Sequence, residues 1–237
     1  QQVVTESMYK DELSNQKWYM TRDISHEQGK IVFDAGKTNA DSKIVSVILA
    51  NDLREMGIDT CISGKLTIKV KEALRGEFYI GFGLDRPYSA VKSASAICLY
   101  DNGGTVGVKV ENFAGENVGV VYTAPNGYAY GEEIVIDFDV FSVGSMYLKV
   151  NNDLLLNHDN DKMVASAGYF GFGQSAPSSV EISNAEVRAA TYDRPTNCNV
   201  NETFSDGFNA ALLYSEGGAN GYYSPEKVSC EDGVLKF

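Results

Sequence analysis

The chain has 237 residues, of which 43% are hydrophobic and 11% aromatic, so it can bury a sizeable core as one large domain or as one domain and a fragment. Its formal net charge of −12 would repel a phosphate backbone or an anionic lipid surface, so nucleic acid is not an expected partner. No run of about 18 apolar residues occurs, and the sequence therefore predicts no membrane insertion.

In chain order, short runs of apolar and polar residues predict β-strands. The predicted strands cover residues 30–34, 44–50, 65–71, 77–84, 95–100, 105–111, 118–123, 133–141, 145–150 and 153–156. The one helical signal is Asn51–Met56, a single turn that Gly57 ends. Together with a closing hairpin, about twelve strands predict an all-β fold, an antiparallel two-sheet jelly-roll β-sandwich.

The closing hairpin, residues 166–188, has two clearly alternating faces. Glycine alternates with phenylalanine from Phe170 to Gly173, and the second strand switches side near Asn184, which predicts a β-bulge. This glycine-spaced strand, followed by a strand that begins Val-Glu-Ile, resembles the last hairpin of concanavalin A-like lectin and glucanase domains, including laminin G-like modules. The resemblance implies a jelly-roll fold and a carbohydrate ligand.

Two strands carry nearly the same sequence, FYIGFG at Phe78–Gly83 and GYFGFG at Gly168–Gly173. The similarity predicts comparable positions in the sandwich. Glycine at every second place leaves one face of each strand bare, which favours close packing of a neighbouring side chain over a ligand ring.

A second repeat organises the ends of the chain. Lys17–Phe33 aligns without a gap with Gly221–Phe237, matching an aromatic pair, a serine, an acid, a glycine and the final phenylalanine. We therefore predict a module over 1–192, a linker over 193–200, and over 201–237 the opening strands of a second, incomplete copy or a strand segment that is added or exchanged. Such an opening resembles concanavalin A-like modules of secreted multidomain proteins, which implies tandem copies and a secreted or cell-surface location.

The four cysteines lie far apart, at Cys61, Cys98, Cys198 and Cys230. Their spacing provides neither a zinc knuckle nor a redox motif. Disulfides Cys61–Cys98 and Cys198–Cys230 and buried reduced thiols remain open alternatives at this stage.

The sequence gives little support for a catalytic site of the glucanase type. The retaining glucanases of this superfamily carry a Glu-x-Asp-x-x-Glu or Glu-x-Asp-x-Glu strand, in which alternation places the carboxyls on one side. The nearest match, Val135–Phe141, has Asp137 and Asp139 but no glutamate. We interpret both aspartates as solvated groups on an outer face.

Sugar binding needs an aromatic platform and polar groups for the hydroxyls. The best cluster is Tyr122, Asn126, Tyr128 and Tyr130, beside an Asn-Gly turn. Structural tyrosines at a hairpin would give the same pattern. The only tryptophan, Trp18, is replaced by tyrosine in the repeat and is interpreted as a core anchor.

Two loops provide further candidates. Asp85, Arg86 and Tyr88 supply an acid, a guanidinium and a ring directly after a strand, as a salt-bridged turn also would. The oxygen-rich loop formed by Asn157, Asp159, Asn160 and Asp161 is a weak candidate for a structural calcium ion, although an ordinary acidic turn is favoured. No other cofactor is expected.

The sequence as a whole predicts a non-catalytic module that binds a polysaccharide or oligosaccharide. The alternatives are a glycoside hydrolase on the same fold and an adhesion or structural spacer without a sugar site. Further copies of the module and a strand-exchanged dimer are the expected protein partners.

Overall fold

The computed structural model describes residues 18–27, 29–46, 60–84, 91, 94–141, 144–157, 169–191, 229–231 and 234–236. The strands are β1 (Trp18–Met20), β2 (Ser25–Glu27), β3 (Lys30–Phe33), β4 (Lys43–Ser46), β5 (Thr60–Val70), β6 (Phe78–Leu84), β7 (Ser95–Asp101), β8 (Val106–Asn112), β9 (Gly119–Thr123), β10 (Glu133–Phe141), β11 (Met146–Val150), β12 (Asp153–Asn157), β13 (Tyr169–Gln174), β14 (Val180–Thr191), β15 (Ser229–Glu231) and β16 (Val234–Lys236). In this described part of the chain there is no helix, and so none that could cross a membrane.

Strands β1 to β14 form two seven-stranded antiparallel sheets that pack as a sandwich. Sheet I has the order β1-β4-β13-β6-β7-β8-β9, and sheet II has the order β12-β11-β10-β5-β14-β3-β2. Apolar side chains from the inner faces of both sheets fill one core. Its largest fully buried members are phenylalanines: Phe33, Phe78, Phe82, Phe138, Phe170 and Phe172. The predicted all-β two-sheet jelly roll is confirmed, with fourteen strands rather than twelve.

The closing hairpin, β13 and β14, contains the predicted bulge. The register between β14 and β5 shifts between Ser183 and Glu186. Asn184 lies inside this shift with a φ of 48°, a left-handed conformation that asparagine adopts more readily than most residues. The bulge restores an outward direction for Glu186 while Val187 stays in the core.

The two glycine-spaced strands, β6 and β13, are direct neighbours in sheet I, where Gly171 lies opposite Gly81. A Cβ atom on Gly81 would lie 2.1 Å from the carbonyl oxygen of Val91, and one on Gly173 would lie 2.6 Å from its Cγ2. The bare strip therefore accommodates Val91, a packing role as interpreted from the sequence.

The Cys61–Cys98 disulfide is excluded, because both residues are buried thiols without a bond between them. Ile62 and Ile97 point into the shared core, and successive residues of a strand face opposite sides. Cys61 therefore lies on the outer face of sheet II and Cys98 on that of sheet I. Cys198 and the side chain of Cys230 lie outside the described residues, as do Asn51–Met56 and the side chain of Trp18.

The chain divides into two compact units, Gln1–Tyr192 and Asp193–Phe237. In the second unit, β15 and β16 form a two-stranded antiparallel sheet in which Cys230 lies opposite Leu235. The aligned residues of the first unit are His26 and Ile31, which lie opposite each other in the β2–β3 hairpin. The repeated sequence thus forms the same hairpin with the same register in both places.

Candidate functional site

A shallow polar groove of about 690 Å³ lies on the outer face of sheet II. In β10, Ile136 and Phe138 belong to the core, so Asp137 and Asp139 face outward by alternation. The volume lies within the range of about 300–1,000 Å³ that is typical of ligand sites. We call this surface the sheet II groove; it is lined by Lys65, Leu66, Thr67, Glu133, Val135, Asp137, Lys149, Asn151, Asn152, Asn184 and Glu186.

Charged residues form a row across four neighbouring strands of the groove. Glu186 lies opposite Lys65, Lys65 opposite Asp137, and Asp137 opposite Lys149. Residues paired in this way have Cβ atoms about 4.5–5.5 Å apart. The signs alternate along the row, so the groove offers both acceptors and donors at fixed positions.

The next row of the same face contains a tyrosine. Tyr147 lies opposite Asp139. Burial, and then the charges of Asp137 and Asp139, raise the pKa of the Tyr147 phenol above its ordinary value. The strand that lacks the glucanase glutamates thus presents its two aspartates on an outer polar face beside a neutral phenol.

The three predicted tyrosines lie at one edge of the sandwich, and we call them the tyrosine rim: Tyr122, Tyr128 and Tyr130. Tyr122 is in the edge strand β9, and Tyr128 forms an isolated bridge with Val106. All three are half-buried and pack against the core. Burial, and then the neighbouring Asp153 and Tyr122, raise the pKa of Tyr128. Tyr128 therefore lies within electrostatic range of both Tyr122 and Asp153.

Tyr130 is tied into the fold by its hydroxyl group. This hydroxyl donates a hydrogen bond to Asp101 Oδ1 at 2.5 Å and accepts one from the Leu74 amide at 3.4 Å. Burial and then the bond to Asp101 raise the pKa of Tyr130 to about 12. Its role is mainly structural, whereas Asn126, in the exposed turn before Tyr128, is accessible.

The turn between β11 and β12 borders the sheet II groove. Asn151 and Asn152 line the groove, and the charge of the next residue, Asp153, acts on the Tyr128 phenol. Asn151 has a φ of 53°, and its side-chain oxygen accepts a hydrogen bond from the Val135 amide at 2.9 Å. This hydrogen bond fixes the turn at the border of the groove.

The remaining sequence candidates fall largely outside the described residues. Asp85, Arg86 and Tyr88 lie outside them, as do Asp159 and Asp161 of the calcium candidate. Asn157, the last residue of β12, is exposed and lies opposite Tyr147. The calcium hypothesis therefore stays a prediction.

Two further polar clusters on sheet I are occupied by structural contacts. Glu77, Cys98 and Glu111 have metal-ligand atoms within 4.8 Å of one another, but the Lys109 amine forms ion pairs with Glu77 and, at 2.9 Å, with Glu111. That amine fills the place that a cation would take.

A smaller pocket, of about 240 Å³, lies beside Lys43, Tyr79 and Gln174. The buried Gln174 amide donates to the Asn39 carbonyl at 2.7 Å, and its oxygen accepts from the Ser178 amide at 3.1 Å. Gln174 thus holds the loop between β3 and β4 against β13.

Comparison with known proteins identifies structures of the same shape. No protein-family model and no curated protein sequence matches the chain. The carbohydrate recognition domain of Emp47p aligns at a TM-score of 0.53 and 14% identity, covering 74% of this chain and 89% of that one. The potassium-bound carbohydrate recognition domain of Emp46p aligns at 0.53 and 13%, covering 77% and 95%.

The polysaccharide lyase family 18 structure aly-SJ02 aligns at a TM-score of 0.49 and 12% identity, covering 75% of this chain and 96% of that one. The similarity to the two carbohydrate recognition domains, at 13–14% identity, shows the fold alone.

Proposed function

We propose that this concanavalin A-like jelly roll is a non-catalytic module that binds a polysaccharide along the sheet II groove and against the tyrosine rim. The observation that carries the proposal is a groove of about 690 Å³ with amide, carboxylate and amine groups. The turn that borders it carries Asp153, whose charge acts on the half-buried Tyr128. The shape shared with the carbohydrate recognition domains of Emp46p and Emp47p supports this assignment.

The chemistry of the groove suits a row of sugar hydroxyls. A hydroxyl both donates and accepts hydrogen bonds, and the row from Glu186 to Lys149 alternates acceptors with donors. The CH face of a pyranose is apolar and stacks on an aromatic ring. Tyr122 and Tyr128 provide such rings, with Asp153 and Asn126 beside them for polar contacts.

Affinity electrophoresis through gels that contain polysaccharides, supported by a glycan array, tests this function. We expect Tyr128→Ala to weaken binding by about 1–3 kcal/mol, as for a contact residue near the centre of a site. Tyr128→Phe keeps the ring and should retain most of the affinity. Because Tyr128 also packs against the core, Tyr128→Ala should lower the melting temperature as well. Substitution of a fully exposed aromatic residue would leave the melting temperature nearly unchanged.

Tyr19→Ala is the matched control. Tyr19 is 39% exposed and lies in β1, at the opposite edge of sheet I from β9. Wild-type affinity in folded Tyr128→Ala, or an equal loss in Tyr19→Ala, would contradict the site. Failure of the wild-type protein to bind any glycan would favour the spacer alternative.

The glycoside hydrolase alternative rests on Asp137 and Asp139. Their strand has no glutamate at the positions of the glucanase motif, and Asp137 lies opposite both Lys65 and Lys149 in register. We therefore expect no release of reducing sugar from glucans, xylans or galactans. Sustained release that Asp137→Asn abolishes would establish the hydrolase instead.

The repeated hairpin supports a tandem organisation. We propose that residues 201–237 open a second module of the same kind after a linker over 193–200, in a secreted or cell-surface multidomain protein. The support is the alignment of Lys17–Phe33 with Gly221–Phe237 and the common register of the two hairpins. Two modules on one chain would raise the effective concentration of the second site.

A further inference from the structure

We infer that the glycan bound in the sheet II groove carries no anionic groups, an inference that rests on the proposed function. Both amines of the groove lie opposite carboxylates. Lys65 lies between Glu186 and Asp137 in register, and Lys149 lies opposite Asp137. A sugar carboxylate or sulfate that approaches either amine therefore also approaches at least one carboxylate of the groove.

The charge balance of the groove also disfavours an anionic ligand. Among the described lining residues, the carboxylates Glu133, Asp137 and Glu186 face only two amines, Lys65 and Lys149. A uronate or sulfate would enter a surface with an excess of negative charge. The formal net charge of −12 on the whole chain adds a long-range repulsion.

Carboxylates also lie beside the tyrosine rim. The Tyr130 hydroxyl donates to Asp101, and Asp153 is close enough to Tyr128 to raise the pKa of its phenol. A charged sugar stacked on Tyr128 would bring its anionic group towards Asp153. An uncharged sugar meets no such penalty, and its hydroxyls can donate hydrogen bonds to that carboxylate.

Matched pairs of polymers with the same backbone test the inference. Polygalacturonate is compared with its fully methyl-esterified form, and carboxymethylcellulose with hydroxyethylcellulose. Titration calorimetry is run on the full chain in about 20 mM and about 300 mM salt. These concentrations lie below and above 0.1 M, at which charges are screened over about 10 Å. We expect at least one uncharged polymer to bind about tenfold or more tightly than its anionic partner at low salt. The advantage over an anionic partner should shrink at high salt.

Two variants separate the local field of the groove from the net charge of the chain. Glu133→Gln removes a carboxylate of the groove, and Asp41→Asn removes an exposed carboxylate beside the sheet I pocket. Both change the net charge equally. We expect the ratio of uncharged to anionic affinity to fall in Glu133→Gln by about threefold and to stay unchanged in Asp41→Asn. An equal change in both variants would overturn the role of the groove.

The outcomes distinguish the inference from the function on which it rests. Tighter binding of an anionic polymer than of its uncharged partner would overturn the inference and leave carbohydrate binding intact. Silence across all pairs and a wider glycan array would contradict carbohydrate binding itself.

Discussion

Replacing Gly64 by alanine probes the packing directly beneath the sheet II groove. Gly64 lies in β5 opposite Phe138. A Cβ atom at this position would lie 2.4 Å from Phe138 Cζ and 2.9 Å from Cε1, whereas carbon atoms in contact are about 3.5–4.0 Å apart. The fully buried Phe138 ring cannot retreat freely, because its centroid lies 5.3 Å from that of Phe82 and 5.9 Å from that of Phe170.

We expect overpacking in Gly64→Ala to lower the free energy of unfolding by about 1–3 kcal/mol. The smaller chain entropy of alanine in the unfolded state offsets about 0.4–1 kcal/mol of this loss. Urea denaturation measures the net change, and each kcal/mol should lower the melting temperature by about 2–4 °C. Since β10 also carries Asp137 and Asp139, a shift of this strand should weaken glycan binding too.

A double-mutant cycle with Phe138→Leu provides the control. Leucine removes the ring atoms that collide with the new Cβ, so the second substitution should cost less in Gly64→Ala than in the wild-type protein. A coupling energy above about 0.5 kcal/mol is expected for residues in contact. A Gly64→Ala variant as stable as wild type, or strictly additive effects, would refute the packing argument.

The remaining predictions concern a hydroxyl, a carboxylate and the tail. Tyr130→Phe should lower the free energy of unfolding by about 1 kcal/mol in urea denaturation at pH 7, because Asp101 loses its donor. Since the pKa of Tyr130 is raised from 10.0 to about 12, the folded protein should lose stability as the pH rises through this window, and less so in the variant. The hydrogen bond from Lys71 holds the pKa of Glu181 below its ordinary 4.5. The contribution of the Glu181 carboxylate to the free energy of unfolding is therefore present above pH 4.5 and lost as the pH falls further. A Glu181→Gln variant that unfolds in acid just as wild type does would contradict this. Deleting residues 198–237 should lower the melting temperature or abolish dimerisation. An unchanged melting temperature and an unchanged mass in light scattering would show that the tail stabilises neither the first module nor a dimer.

The fold could be predicted from the sequence where strands are long and well patterned. The bounds of β10, Glu133–Phe141, agree with the prediction, because apolar and acidic residues alternate from Ile136 to Val140 within a long β-forming run. The edge strands β1 and β2 were missed, since three residues are too few to show a period. β1 is a strand because it pairs with β4, and β2 is a strand because it pairs with β3. The local sequence of β1 and β2 does not specify these partners.

The candidate site was predictable only in part. The spacing of Tyr122 and Tyr128 beside a turn predicts a tyrosine cluster, and in the structure both residues are half-buried and pack against the core. The groove was missed, because its residues come from strands that are distant along the chain. Lys65 and Lys149 carry no motif, and only their outward position by alternation distinguishes them.

The sequence by itself determined properties that depend on near neighbours in the chain. Alternation assigned Asp137 and Asp139 to one face, the side switch at Asn184 marked the bulge, and the repeat marked a second hairpin. Only the tertiary structure decided which strands lie side by side, and with them the row from Glu186 through Lys65 and Asp137 to Lys149. The physical reason is that a one-residue slip in register turns every side chain of a strand to the other face. Register is fixed by burial of the whole core, which no single strand encodes.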